Sequence, residues 1–441
     1  MRKRTLGTTI LLLLYEIILS LLQAVAWCAR PFSKKVRNFF HGRSQTVKSI
    51  LGEGKAGTAG KKRCIIFFCS SAGEFEQAKP IIDRLSQTSR FRIYIFFFSQ
   101  SGMKYASARK EEQPYFIAPV DHYLNWKKIF DALRPEVCFV VKYELWPGFL
   151  TAASERTQLI MIDAMASDRL ENSRLARYIR KIFLDYFDKV YVVSEYDKAF
   201  FDQFPGMRPE KLCVVGDTKY DRVIERAAAQ NGTAARLRQQ LEESFGPAKR
   251  MIIGSAWHPD IELVLDSYRE IRKTSPAWQL IIVPHLINST MIEWTLAQCR
   301  ARQLQACRFS DWQQNKLMEP VNQNWVIIVD GMGLLAEIYC CGNIAFVGGA
   351  LHHQVHNVLE PSVRGLYVAF GPRFYNSQEA RLLISEKLVK SFDNEQGLTA
   401  WWKQLILDEA NLNQDLLKRV HSLGGASNKI ISSLSLLRQD D

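Results

Sequence analysis

Patterned cysteine is missing from this chain. Its nine cysteines are scattered; Cys340 and Cys341 are adjacent, and no C-x-x-C occurs. That spacing excludes a zinc ribbon and a disulfide framework, and it fits reduced thiols used as small core residues in a cytosolic compartment. No H-E-x-x-H occurs either. His352-His353-x-x-His356 would put His352 and His356 on one face of a helix, but it follows a strand-like run and a Gly-Gly turn, so no metal is expected there. There is no RNP box, helix-turn-helix pattern or zinc-finger spacing, which leaves nucleic acid without specific support. Acidic residues are in deficit, 45 against 58 basic, for a net charge of +13. Excess base suits an anionic partner such as a membrane surface or a phosphorylated substrate. No short-period repeat is present.

What is present is enough chain, 441 residues, for two domains that each bury a core. Strand and helix candidates alternate. The strands are Cys64–Cys69, Arg92–Phe98, Val137–Lys142, Leu159–Ile162, Lys189–Val193 and Leu212–Val215. Helical stretches such as Gln77–Leu85, Trp126–Leu133 and Ser173–Phe187 lie between them. A second series runs Met251–Gly254, Leu280–Pro284, Trp325–Val329, Ile344–Val347 and Leu366–Phe370. Alternation of this kind predicts doubly wound parallel sheets. The expected organisation is an anchor helix over 1–30, a first Rossmann-like domain over 31–226 and a polar connection over 227–249. A second Rossmann-like domain follows over 250–397, then C-terminal helices over 398–441 that cross back to the first domain.

Thr8 to Cys28 is about 20 mostly apolar residues, near the length that spans a bilayer. Glu16 sits in its middle and is costly in hydrocarbon. A cleaved signal peptide, a spanning anchor, and an interfacial helix with Glu16 turned to water all fit. Arg30, Lys34, Lys35, Arg37 and Arg43 follow, and basic residues there resist translocation. A retained anchor with the body on the cytoplasmic face is the expectation.

Two places carry chemistry. In the first, the strand ending at Cys69 runs through Ser70-Ser71-Ala72-Gly73 into a helix with Glu74 at its start. The macrodipole and free N–H groups there favour an ionised carboxylate, able to take a proton from a hydroxyl. In the second, Ile344–Val347 leads through Gly348-Gly349 to His356-Asn357-Val358-Leu359-Glu360-Pro361. An Asn-x-x-Glu beyond a strand's carboxyl end can place a phosphate on helical amides and a ribose diol on the carboxylate. Two-Rossmann-domain (GT-B) glycosyltransferases hold nucleotide sugars in this way, with the domains facing across a cleft.

Six motifs in order resemble the Kdo transferases, the membrane-associated enzymes that place 3-deoxy-D-manno-octulosonic acid (Kdo) on the lipid A precursor. They are Ser71-Ala72-Gly73-Glu74, Lys142-Tyr143-Glu144-Leu145-Trp146-Pro147, Gly216-Asp217-Thr218-Lys219-Tyr220-Asp221, Val283-Pro284-His285, Met332-Gly333, and Gly348-Gly349 with His356-Asn357-x-Leu359-Glu360. The sequence versions look most like the Bacteroidetes branch. The resemblance implies an α/β GT-B fold with a membrane-associated N-terminal helix. It also implies CMP-Kdo as donor, lipid IVA as acceptor, and inversion without a covalent intermediate.

Glu74 matches the family's general base and Lys219 its transition-state cation. Ser255, Pro284, His285, Met332, Gly333, Leu334, Asn357, Val358, Leu359 and Glu360 match or neighbour the CMP-binding segments. Four positions depart from the family. Lys142 replaces a frequent acid, His285 a frequent Arg, Leu334 a frequent Glu, and Met165 a frequent Arg for which Arg169 can compensate. No Asp-x-Asp motif occurs, so metal-independent catalysis is expected, with no cofactor. A GT-B enzyme using a UDP-sugar, and an inactive lipid-binding scaffold, are the alternatives.

Overall fold

The computed structural model describes residues 6–55, 62–142, 144–166, 182–204, 207–317, 321–322, 324–409 and 411–434. Tyr143, Arg169 and most of the expected Ser173–Phe187 helix lie outside the described residues.

The chain divides into two compact units, residues 1–222 with 424–441, and residues 223–423. In chain order the elements begin with α1 (Leu6–Ala29), α2 (Lys34–Phe40), α3 (Arg43–Lys55), β1 (Arg63–Cys69), α4 (Ala72–Gln87), β2 (Phe91–Phe97), α5 (Gln100–Ala108) and β3 (Tyr115–Ile117). Then come α6 (Tyr123–Leu133), β4 (Val137–Val141), α7 (Pro147–Ser154), β5 (Gln158–Ala164), β6 (Lys189–Val192), α8 (Glu195–Asp202), β7 (Leu212–Val214) and α9 (Thr218–Ala229). The second series is α10 (Asn231–Phe245), β8 (Lys249–Ala256), α11 (His258–Thr274), β9 (Trp278–Pro284), α12 (Ser289–Ala301), β10 (Ala306–Arg308), α13 (Phe309–Gln313), β11 (Val326–Ile328) and α14 (Leu335–Tyr339). It continues with β12 (Ile344–Val347), α15 (Leu359–Ser362), β13 (Tyr367–Phe370), α16 (Gln378–Ser385), β14 (Lys390–Ser391), α17 (Glu395–Leu407), α18 (Gln414–Ser422) and α19 (Ala426–Ser433).

Among the described residues each unit holds a seven-stranded sheet, in order β3-β2-β1-β4-β5-β6-β7 and β10-β11-β9-β8-β12-β13-β14. The described strands pair in parallel, for example Ile65 against both Ile93 and Val137, and Ile344 against Met251. Parallel strands are buried on both faces, which explains their near-continuous apolar sequences. Along β1, Ile66 and Phe68 pack on one side with Trp126 and Phe149, while Ile65, Phe67 and Cys69 pack on the other with Phe75 and Ile81. Strand order reverses between β1 and β4 in the first sheet and between β8 and β12 in the second. Ligand crevices form at such switch points, beyond the strands' carboxyl ends.

Helix α1 runs along the first unit. Tyr15 donates to Asp121 at 2.9 Å, Glu16 accepts the Tyr123 N–H at 2.6 Å and lies 2.5 Å from His122 Nδ1, and Gln23 meets His122 Nε2 at 2.7 Å. Glu16 is therefore turned to protein, not to water as the interfacial reading supposed. The opposite face leaves Ile10, Leu13, Leu14, Ile17, Ile18, Leu21, Leu22 and Val25 at least half exposed. By length and composition alone, the stretch Gly7–Ala29 is long and apolar enough to cross a membrane.

Asp121 is also the anchor of α7. Its carboxylate accepts the N–H groups of Gly148 and Phe149 at 2.9 and 2.8 Å. A Cβ on Gly148 would lie 2.1 Å from the Asp121 carbonyl oxygen, so only glycine allows this approach.

The polar segment expected as a connection is helical: α10 follows α9 directly and belongs to the second unit. Near the C-terminus, α17 packs on α11, with Trp402 stacked 6.0 Å from Tyr268. Helix α19 packs on α4 through Ile430 and Ile431, and Asp221 accepts the N–H groups of Gly425 and Ser427 at its start.

Candidate active site

The first sheet's switch point gathers the end of β1, the start of α4 and the loop after β4. Ser71 is the N-cap of α4, its Oγ accepting the Glu74 N–H at 3.5 Å. The Glu74 carboxylate turns back to the N–H groups of Ser70 and Ser71, the latter at 3.3 Å. This capping box fixes the side chain beside the turn.

The sequence leads one to expect an ionised Glu74. The structure corrects that: its pKa is raised to about 7. Burial is the largest cause and the nearby Glu144 carboxylate the second, while the Ser70 and Ser71 amides and Lys142 pull the other way. Amides and macrodipole offset only part of the desolvation cost. A carboxyl poised near neutrality suits proton transfer better than one held permanently ionised.

Lys142 follows β4 with φ +59, a left-handed conformation held by its N–H donating to the Ile162 carbonyl at 2.9 Å. Its charge favours the ionised forms of both Glu74 and Asp163. Glu144, two residues on, accepts from the Trp146 indole at 2.6 Å, and Trp146 stacks on Phe98 at 4.4 Å. Asp163 is fully buried with φ +53 and receives the Thr218 N–H at 2.9 Å and the Thr218 hydroxyl. Burial and the neighbouring Asp217 push it up to about 7. Lys219, in the first turn of α9, is ion-paired with Asp217 at 3.0 Å. Glu144, Asp163 and Asp217 escaped the sequence reading, although Glu144 and Asp217 stand inside the quoted motifs.

The second sheet's switch point brings together Ser255, Pro284, His285 and the Asn357–Glu360 turn. Ser255 has φ +53 near the end of β8. Its carbonyl oxygen lies where a Cβ on Gly348 would be 2.5 Å away. Pro284 closes β9, paired with Ala256 beyond an irregularity in register. His285 is exposed and stacks on Trp257 at 4.6 Å and on His356 at 4.4 Å. The Trp257 indole N–H donates to His356 Nε2 at 3.1 Å, so the neutral ring carries its proton on Nδ1. Burial and two neighbouring imidazoles lower the His356 pKa. His356 also crosses the turn at Gly349, where φ is +97 and a Cβ would meet its ring at 2.9 Å.

Asn357 is exposed; its Oδ1 accepts the Leu359 N–H at 3.0 Å. Glu360 lies 3.8 Å from Arg226. Val358 and Leu359 are 1% and 4% exposed, so only their backbone can face a ligand. Met332 is 85% exposed and Gly333 has φ +82, just before Leu334 caps α14. Among the described residues no group of three or more His, Cys, Asp or Glu is placed to hold a metal ion.

The model of the 3-deoxy-D-manno-octulosonic-acid transferase (kdotransferase) family matches residues 45–222, which hold Glu74, Lys142 and Lys219. A 3-deoxy-D-manno-octulosonic acid transferase of Aquifex aeolicus is 26% identical over 321 residues, covering 72% of this chain and 78% of the relative. That of Chlamydia trachomatis serovar D is 23% identical over 383 residues, 85% of each. A bifunctional glycosyltransferase/methyltransferase of Fusobacterium nucleatum is 28% identical over 377 residues; this chain spans 55% of its length. Among solved structures, the UDP-GlcNAc 2-epimerase of Neisseria meningitidis superimposes with a TM-score of 0.58 at 14% identity, covering 84% of this chain and 99% of that one. That likeness concerns the fold: two parallel α/β units of GT-B type. The motif order, the family match over residues 45–222 and relatives that run through the second unit agree: the chain is similar to the 3-deoxy-D-manno-octulosonic acid transferases.

Proposed function

We propose that the protein transfers Kdo from CMP-Kdo to a hydroxyl of the lipid A precursor lipid IVA, with inversion and with Glu74 as general base. The observation that carries this reading is Glu74 itself, a carboxyl with its pKa near 7 at the first sheet's switch point. Its ionised form takes the acceptor proton as the hydroxyl oxygen bonds to the anomeric carbon and the bond to CMP breaks. Lys219 supplies a positive charge for the departing phosphate, and Lys142 tunes Glu74. In the second unit, Ser255, Asn357 and the backbone at Met332–Leu334 and Val358–Leu359 bind the phosphate. Glu360 takes the ribose diol, and the ordered His285 stands where arginine is frequent in the family. CMP already leaves readily, so the reaction needs no metal.

We further propose that α1 lies in the interface of the inner membrane, on the cytoplasmic face. Its bond-forming side grips Asp121, His122 and Tyr123, while its apolar side is left for acyl chains. The basic residues after α1 meet acidic headgroups.

The test is incubation with CMP-Kdo and lipid IVA, with the product weighed by mass spectrometry. Glu74→Gln should abolish most product yet still be protected from heat by CMP. Protection by UDP instead of CMP would point to another donor. Wild-type turnover in Glu74→Gln would remove the general base.

A further inference from the structure

We infer that Asp217 is a positioning residue that sets the Lys219 ammonium, and that Gln77 ties this setting to the helix carrying Glu74. A lysine ammonium sits on a flexible four-carbon stem, so it acts as a fixed charge only when something holds it. Asp217 holds Lys219 at both ends. Its Oδ1 accepts the Lys219 backbone N–H at 2.9 Å, and its Oδ2 lies 3.0 Å from Lys219 Nζ. Asp217 is 1% exposed, so water does not compete for this carboxylate.

The same Oδ1 receives Gln77 Nε2 at 3.2 Å. Gln77 is buried on α4, one turn beyond Glu74. One carboxylate thereby joins the helix that carries the base to the helix that carries the cation. Beside it, Asp163 takes the backbone N–H and hydroxyl of Thr218. The first two residues of α9 are thus each held by a buried acid. Two adjacent buried carboxylates repel one another, and the Lys219 and Lys142 charges offset that repulsion. Lys219 is held against a counter-charge within its own unit, in an orientation fixed before substrate arrives.

The inference rests on the proposed role of Lys219, so its test separates the two. In the full-length protein, kcat and KM for CMP-Kdo are measured with lipid IVA for Lys219→Met, Asp217→Asn, Gln77→Met and the double variant Asp217→Asn/Lys219→Met. Heat protection by CMP reports folding and donor binding in each. Lys219→Met should lower kcat about 100-fold. Asp217→Asn should lower kcat about tenfold at unchanged KM and add less than twofold to Lys219→Met, because the two act as one unit. Gln77→Met should cost about threefold in kcat.

A full multiplicative loss in the double variant overturns the inference, since Asp217 would then act independently of Lys219. Loss in Lys219→Met with wild-type kcat in Asp217→Asn overturns it too, while leaving the role of Lys219 intact. Wild-type kcat in Lys219→Met overturns both. If Asp217→Asn does not fold, the same comparison made with Gln77→Met decides.

Discussion

The pKa of Glu74 makes a quantitative demand on the pH–rate profile. With a midpoint at about 7, the ionised fraction rises about tenfold between pH 6 and pH 8. With the ordinary carboxyl value of 4.5, it would be almost constant over that range. Measured kcat/KM, followed by product mass with CMP-Kdo and lipid IVA, should therefore climb about tenfold across those two units. The perturbation that isolates the cause is Glu144→Gln. It removes the second contribution to the raised value, the Glu144 charge, and leaves burial in place. The acidic limb should move to lower pH while the plateau is kept.

Stability should mirror activity. A carboxyl whose folded pKa is raised destabilises the fold when ionised; that cost is absent below about pH 4.5 and complete above about 7. Glu74→Gln removes it. After solvent screening of a partly exposed group, the variant should be more stable than wild type by roughly 1–2 kcal/mol at pH 8 and equal to it near pH 4.5. A wild-type limb near pH 4.5, or a limb unmoved by Glu144→Gln, refutes the reasoning.

Three further outcomes are expected. Ser71→Ala deletes the N-cap acceptor of α4 and should cost about 1 kcal/mol in urea unfolding, with the acidic limb shifted because the Glu74 carboxylate is held less firmly. Asn357→Ala frees the Leu359 N–H and should weaken heat protection by CMP while leaving stability without nucleotide within about 0.5 kcal/mol, as expected for an exposed side chain. Glu16→Ala removes the acceptor of the Tyr123 N–H and the group beside His122 Nδ1; thermal stability should fall, while association with acidic vesicles should persist because the apolar face is untouched.

The parallel strands were legible because burial on both faces writes them as apolar runs: Cys64–Cys69 and Ile344–Val347 fall where β1 and β12 lie. Short edge strands were not. Tyr115–Ile117, Ala306–Arg308 and Lys390–Ser391 have two or three residues each, too few to show a period. Glu74 was legible because an apolar strand ending at Cys69 runs through small residues into a helix with this carboxylate at its start. Its protonation was not, because the opposing Glu144 comes from a loop after another strand. Asp217 and Gln77 are 140 positions apart in the chain, and only the fold brings them together. The histidine stack shows the same limit. His352-His353-x-x-His356 looks like a ligand set in one dimension, yet His356 meets Trp257 and His285 from two other strand ends.

Asp121 serves two masters. Its carboxylate holds Tyr15 of α1 and also the first amides of α7. The loop that leads from β4 into α7 carries Glu144, whose charge bears on Glu74. Cutting away the first 30 residues to obtain a water-soluble enzyme would strip a donor from that carboxylate, which Tyr15 helps to keep ionised. The clipped protein then lacks one of the bonds on the carboxylate that holds the start of α7, and a stability measured on it belongs to it alone.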